Sequence, residues 1–253
     1  MGTFLRQTRL VFVREARALL THPLLYVLTG VFFLLTAQIY ITILTNFAKG
    51  SEDATVNVTD SVIRPIFQSV HFFLIVQIPL LTMRVFSEDR SSGMLDLLQT
   101  TPASDWAITL GKFGGALAAM FFYLALTFAF PLTTAMLGDV EWPVVIGSVI
   151  ALILSTSAYV SIGVFFSAIT ESQVVASVLS YVALFLLIFA QPLADSQDVP
   201  AISDAIKHFA VLEHINGLLS GDIVLMNLVY FIVITAIGLF CTARIVEARR
   251  WRA

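Results

Sequence analysis

The chain has 253 residues, a formal net charge of −3, 58% hydrophobic side chains and only 12% charged ones. A water-facing domain runs nearer half apolar and a quarter charged, and one of this length still exposes a large area, which excludes a soluble enzyme or binding module. Disorder needs low hydrophobicity and is excluded as well, and the slightly acidic balance gives no reason to expect a nucleic-acid partner.

Residues 1–21 read as an amphipathic helix. At about 100° per residue, Arg6, Arg9, Arg14 and Arg17 share one arc, with Phe4, Leu5, Val11, Phe12 and Leu19 opposite and Leu10 and Val13 breaking the pattern. Such a helix suits the cytoplasmic headgroup layer, or is simply a basic flank to the first span. His22-Pro23 then turns the chain. Six stretches reach the ~20 apolar residues that cross a bilayer core: Leu24–Leu44, Ile66–Phe86, Leu110–Met136, Val144–Ile169, Val174–Leu193 and Ile223–Ile245. The expected fold is all-α and polytopic, without the period-2 alternation of a membrane barrel. The first span is too long for a cleavable signal and reads as a retained helix. Pro79 and Pro131 should kink spans two and three, since each lacks a backbone donor.

Orientation follows from Lys and Arg. With both ends of the chain inside, the inner segments hold Arg6, Arg9, Arg14, Arg17, Arg84, Arg90, Lys112, Arg244, Arg249, Arg250 and Arg252, against Lys49, Arg64 and Lys207 outside, which is 11 to 3.

Between spans two and three lies SEDRSSGMLDLLQTTPASD, residues 87–105. Ser91-Ser92-Gly93 ends the preceding helix, Met94-Leu95-Asp96-Leu97-Leu98 forms about one and a half turns, and Pro102 stops it. Four large apolar residues in five need cover. The flanking acids Glu88, Asp89, Asp96 and Asp105 disfavour an anionic leaflet, so a protein groove is the better dock. The loop at 170–173 is very short. Residues 194–222 are too long for a turn, and Ile202, Ile206, Phe209, Leu212, Ile215 and Leu219 recur at helical spacing, giving an outer amphipathic segment. His208 and His214 lie six apart on different helix faces, so they are expected to be hydrogen-bonded or solvated and not metal ligands.

No device for catalysis is visible. Gly111-Lys112 is followed by Phe113, and Trp106 stands where a phosphate-binding loop needs glycine. The lone Cys241 makes no disulfide. The spans carry polar groups but almost no charge: Gln38, Gln68, His71, Gln77, Ser155, Thr156, Ser157, Tyr159, Ser161, Ser177, Ser180 and Tyr181. Gln68 and His71 share a face and serve either a substrate path or bonding between helices. The Ser/Thr cluster of span four suits interhelical bonding. A proton- or ion-coupled carrier usually shows an intramembrane acid or base. Energy is therefore expected from a partner docked on helix 94–98.

The stretch Pro79–Ala116 resembles the ABC-2 type permeases of bacterial ABC transporters. In these an acid at the end of span two leads into a G-x-x-(D/E)-x-L-x-x-x-P helix and then a Gly-Lys pair. Glu88, Gly93, Asp96, Leu98, Pro102, Gly111 and Lys112 stand at the matching positions. His208-Phe209, Gly221-Asp222 and the Arg-rich end look most like the gliding-motility-type branch, with copper-site-maturation permeases as cousins. The resemblance implies one transmembrane domain over 1–253. Within it 1–23 is a connecting helix, 87–105 the coupling loop and 194–222 a re-entrant outer segment. It implies ATPase coupling through Glu88, Asp89, Gly93, Met94, Leu95, Asp96, Leu97, Leu98 and Pro102. It also implies two copies of a separate ATPase that bind ATP and Mg, a second or related permease copy, and a possible periplasmic accessory protein. Its setting is the bacterial inner membrane, and no cofactor or metal is held by the chain. The family layout puts spans two and five nearest a two-fold axis, with Gln68, His71, Ser177 and Ser180 as a possible substrate path. A scaffold that moves another protein without transport, and a passive channel or secondary carrier, are the competing readings. The last leaves helix 94–98 unexplained.

Overall fold

A computed structural model describes residues 2–50, 57–94, 104–196, 206–221 and 224–250. Helix α1 (Gly2–Thr21) is followed after His22 by α2 (Pro23–Gly50). A π-helical turn at Thr59–Ile63 runs into α3 (Arg64–Thr82), and α4 (Arg84–Ser91) continues it after an interruption at Met83. Then come α5 (Asp105–Thr127), the short α6 (Ala129–Ala135), α7 (Trp142–Ile169), α8 (Gln173–Asp195), α9 (Val211–Leu219) and α10 (Leu225–Arg250). No strand occurs among the described residues.

Six of these stretches are long and apolar enough to cross a membrane: Pro23–Lys49, Thr59–Ser91, Asp105–Ala135, Trp142–Ile169, Gln173–Ala194 and Leu225–Ala248. The chain is an all-α, multi-pass membrane protein. Spans one, two and five run past both ends expected from hydropathy alone, spans three and four begin earlier, and span six ends later. Helix continues into polar residues because its own backbone bonds persist there. The interruption in span three falls at Phe128, beside the carbonyl that Pro131 leaves without a donor. In span two, Pro79 stays inside α3 and the interruption comes four residues later, where Met83 N–H bonds the Pro79 carbonyl at 3.0 Å.

α7 is the centre of the bundle. Ala151, Leu152, Ala158, Tyr159, Val160 and Val164 are buried on it, and α3, α8, α9 and α10 pack around it. Small residues set the close approaches: Gly163 faces Thr82 and Gly238 faces Ser161. The hydroxyls of α7 do less between helices than the sequence suggests. Ser155, Ser157 and Ser161 donate to Leu152, Ile153 and Ala158 carbonyls of their own helix, so within that cluster the cross-helix bond falls to Tyr159.

The two ends of the bundle differ. α1 and α4 lie at one, the π-turn and α9 at the other. α1 is not a free interfacial ribbon. It lies against α5, and its buried face is Val11, Glu15, Ala16 and Leu19, while Leu5 and Phe12 of the expected apolar face stay exposed. The reason is the groove opposite. A Cβ on Gly111 would fall 2.6 Å from Val11 Cβ, one on Gly115 2.6 Å from Glu15 Cβ, and one on Gly114 3.0 Å from the Phe12 ring. Three glycines at i, i+3 and i+4 let α1 settle onto the α5 backbone. The outer segment is likewise shifted from its expected face: Val211, His214, Ile215, Leu218 and Leu219 are buried, and Phe209 is exposed.

Candidate functional site: an ionic joint around α4

α4 begins where the span-two helix is interrupted and ends at Ser91, and the turn that follows carries Gly93, whose φ of +70° is left-handed and suits glycine. Its eight residues, RVFSEDRS, put Val85, Phe86 and Ser87 into the bundle and leave Arg84, Glu88, Asp89 and Arg90 to reach sideways. Each makes a different attachment.

Asp89 reaches α1 and α5. Its Oδ2 lies 2.7 Å from Arg14 Nη2 and 2.7 Å from Lys112 Nζ. Lys112 is fully buried and also pairs with Glu15 at 3.1 Å, donates to the Val85 carbonyl, and stands 4.9 Å from the Phe86 ring centre. A lysine without water is tolerable only with its charge neutralised and its donors used. Here two carboxylates and a carbonyl do both. Burial pushes the Glu15 carboxyl above its ordinary pKa of 4.5, and the attraction of Lys112 opposes that.

Arg84 and Glu88 pair along the helix at 2.8 and 3.1 Å, and Arg84 Nη1 also meets the His22 ring at the α1–α2 corner. Arg90 donates to the Ala168 carbonyl near the end of α7 at 2.8 Å and pairs with Glu171 in the short α7–α8 turn at 3.0 Å. Ser167 Oγ accepts from the backbone N–H of Phe86 at 3.0 Å and Ser87 at 3.1 Å and donates to the Met83 carbonyl at 2.9 Å. That one hydroxyl mends the backbone break between α3 and α4. Arg14, His22, Arg84, Glu88, Asp89 and Met94 border a cleft of about 380 Å³ floored by Leu19, Leu25 and Leu81.

Of the expected coupling residues, Glu88, Asp89, Gly93 and Met94 therefore sit at this joint. Leu95, Asp96, Leu97, Leu98 and Pro102 lie outside the described residues. The expected path residues divide. His71 Nε2 and Tyr159 Oη are 2.7 Å apart in the buried interior, and Gln68 faces Asn216 of α9 at 3.4 Å. Gln68, His71 and Asn216 border a cavity of about 260 Å³ between α3, α8 and α9. Ser177 and Ser180 are buried at the opposite end of α8 and bond back to the Val174 and Ala176 carbonyls, so the structure does not bring them to that cavity.

Sequence reading missed Glu15, missed that Arg14 and Lys112 converge on Asp89 of α4, and missed that Arg90 reaches from α4 to the α7–α8 turn. The signals were present. Glu15 is the lone acid in the Arg-rich stretch 1–23, and Gly111, Gly114 and Gly115 mark a face built for a close neighbour beside Lys112.

Six apolar spans locked at one end by a buried ionic joint define a polytopic membrane protein with a mechanically linked end. The sequence matches the model of the ABC-2 family transporter protein over residues 10–220, which is most of the chain, and the chain belongs to that family. It is a permease component of an ABC transporter. No relative among curated proteins matches it.

Proposed function

We propose that this chain is the permease of an exporter in the bacterial inner membrane, driven by two copies of a separate ATPase that binds ATP and Mg, with both ends of the chain cytoplasmic. The branch it fits best is the gliding-motility type, with a periplasmic accessory protein as a further partner. α4 is the lever. The observation that carries this reading is that Arg84, Asp89 and Arg90 tie one short helix to the α1–α2 corner, to α1 and α5, and to the α7–α8 turn at once. A push delivered through the segment after Met94 then reaches three parts of the bundle together, because ion pairs and packed helices transmit displacement without stretching. Substrate enters by the Gln68–His71 cavity. A second permease copy sits on the exposed ridge of α8, where Val174, Val178, Val182, Phe185, Phe189 and Leu193 recur every three or four residues.

Co-purification with the ATPase and coupled ATP hydrolysis test this. Leu95→Asp and Leu98→Asp should release the ATPase, since a buried unpaired carboxylate outweighs the groove. Asp89→Asn should keep the complex and lower substrate-stimulated hydrolysis. Retention of the ATPase by both leucine variants refutes the dock, and full stimulation in Asp89→Asn refutes the lever. The scaffold reading is favoured if hydrolysis responds to an accessory protein and to no substrate. Thiol labelling of Glu52→Cys from outside and Arg250→Cys from inside, in a Cys241→Ser background, tests the topology.

A further inference from the structure

A cleft larger than both the one at the ionic joint and the Gln68–His71 cavity lies elsewhere on the bundle. It is a groove of about 690 Å³ between α8 and α10, floored by Phe165 and Phe166 of α7 and closed at the α9 end by His208, Phe209 and His214. Leu186, Met226, Val233 and Ile237 on its walls are 46–68% exposed, so it opens sideways along membrane-spanning helices.

We propose that this groove binds one lipid acyl chain. Chemistry excludes a polar ligand. The groove is apolar except at the α9 end, and there the polar atoms are already used. The His214 ring nitrogens lie 2.9 Å from Asn227 Oδ1 and 3.3 Å from the His208 carbonyl, and Tyr230 donates its hydroxyl to the Phe209 carbonyl at 2.8 Å. The His214 and Tyr230 rings stack on each other at 4.0 Å. A head group would find no bond here, and hydrocarbon loses nothing.

Size excludes a whole helix of a second copy sunk into the groove. Met226 to Cys241 is fifteen residue steps, about 22 Å along α10. Spread over that length, a volume of 690 Å³ gives a mean section of about 30 Å². A helix with its side chains is about 10–12 Å across, a section of about 80–110 Å². Even widened by the radius of a water, the mean section of the groove stays below that of a whole helix with its side chains, and it admits extended hydrocarbon along its length. Place agrees with size. At about 100° per residue, Ala183, Leu186 and Leu187 face roughly 120° away from the α8 ridge Val174–Leu193, so a second copy seated there leaves the groove open to lipid.

The test uses the full chain in phosphatidylcholine nanodiscs containing a phosphatidylcholine with a diazirine midway along one acyl chain. After washing with unlabelled lipid and illumination, adducts are mapped by peptide mass spectrometry. Retained adducts are expected on Phe165, Ile234 and Ile237, and not on Ile232 or Phe240, which face outward on α10. Ala183→Trp fills the groove and should lower those adducts at least about fivefold while the chain stays monodisperse. Should that variant not fold, Ala183→Leu, a smaller filling, should lower them at least about twofold. Equal retention on outward and groove residues, or unchanged groove adducts in the folded variants, overturns the proposal. So does oxidative cross-linking of two copies through Cys241, the sole cysteine, which would put protein in the groove.

Discussion

The two ends of this bundle solve the same packing problem with different chemistry. At the α9 end the paired polar side chains are imidazole, hydroxyl and amide groups: His71 with Tyr159 and His214 with Asn227 in the interior, and Gln68 facing Asn216 at the surface. At the α4 end they are charged: Lys112, Glu15, Asp89, Arg14 and Arg90. Neutral bonds each contribute about 1 kcal/mol and tolerate partial loss, whereas a buried charge is all or nothing, because losing one partner strands the other. The charged end is therefore stiff and register-specific and the neutral end adaptable. That division is what the proposed coupling through α4 and the proposed substrate entry by the Gln68–His71 cavity would call for.

The sharpest break of this contrast is Lys112→Met. It keeps the volume and removes the cation, leaving Glu15 and Asp89 facing each other with Arg14 as the remaining partner. The expected loss is about 3–5 kcal/mol, the usual cost of stranding a buried charge. Thermal unfolding in detergent measures it, and an unchanged midpoint would mean that water already reaches the joint. Next in size is Gly115→Leu, which drives a side chain into Glu15 and the Ala16 backbone. Overpacking of this kind costs about 1–3 kcal/mol. It should lift α1 from α5, read as faster proteolysis within residues 2–21 while the six spans stay protected.

The six spans were readable from hydropathy because each is a property of one continuous stretch. The ionic joint was not, because its contacts are pairings across the chain: Glu15 with Lys112 is 97 residues apart and Arg14 with Asp89 is 75. A sequence shows Arg14 as one more basic residue on an Arg-rich helix. It takes the position of α1 on the α5 glycines to show that Glu15 points to Lys112 and Arg14 to Asp89, the other partner of that lysine. Ser155, Ser157 and Ser161 of α7 misled for the opposite reason. A buried hydroxyl can always bond its own helix, so polarity in a span does not imply a neighbour.

At the neutral end, His71→Leu should cost less than the lysine change. It removes one partner of a 2.7 Å bond and leaves the Tyr159 hydroxyl buried without one, about 1–3 kcal/mol. Adding Tyr159→Phe should restore part of the loss, since the second change removes the stranded group. A double mutant as unstable as the sum of the singles would show that the pair is not coupled.

The smallest expected effect is the most discriminating. Glu15→Gln removes one carboxylate from the charged end, and a uniform view of that end expects a large loss. The structure expects under about 1 kcal/mol at neutral pH, because Asp89 and the Val85 carbonyl still hold Lys112 and because burial already works against the Glu15 charge. The sign can be checked by titration. Since the folded carboxyl is raised above 4.5, the folded chain binds more protons than the unfolded chain between 4.5 and the raised value. Stability from this group is full below that window and falls as pH rises through it. Glu15→Gln should abolish that fall and leave other pH dependence intact. Melting midpoints of the wild type and the variant across mildly acidic pH decide it: curves that stay parallel would place Glu15 outside the joint, and a variant that loses as much as Lys112→Met would make Glu15, not Asp89, the essential partner.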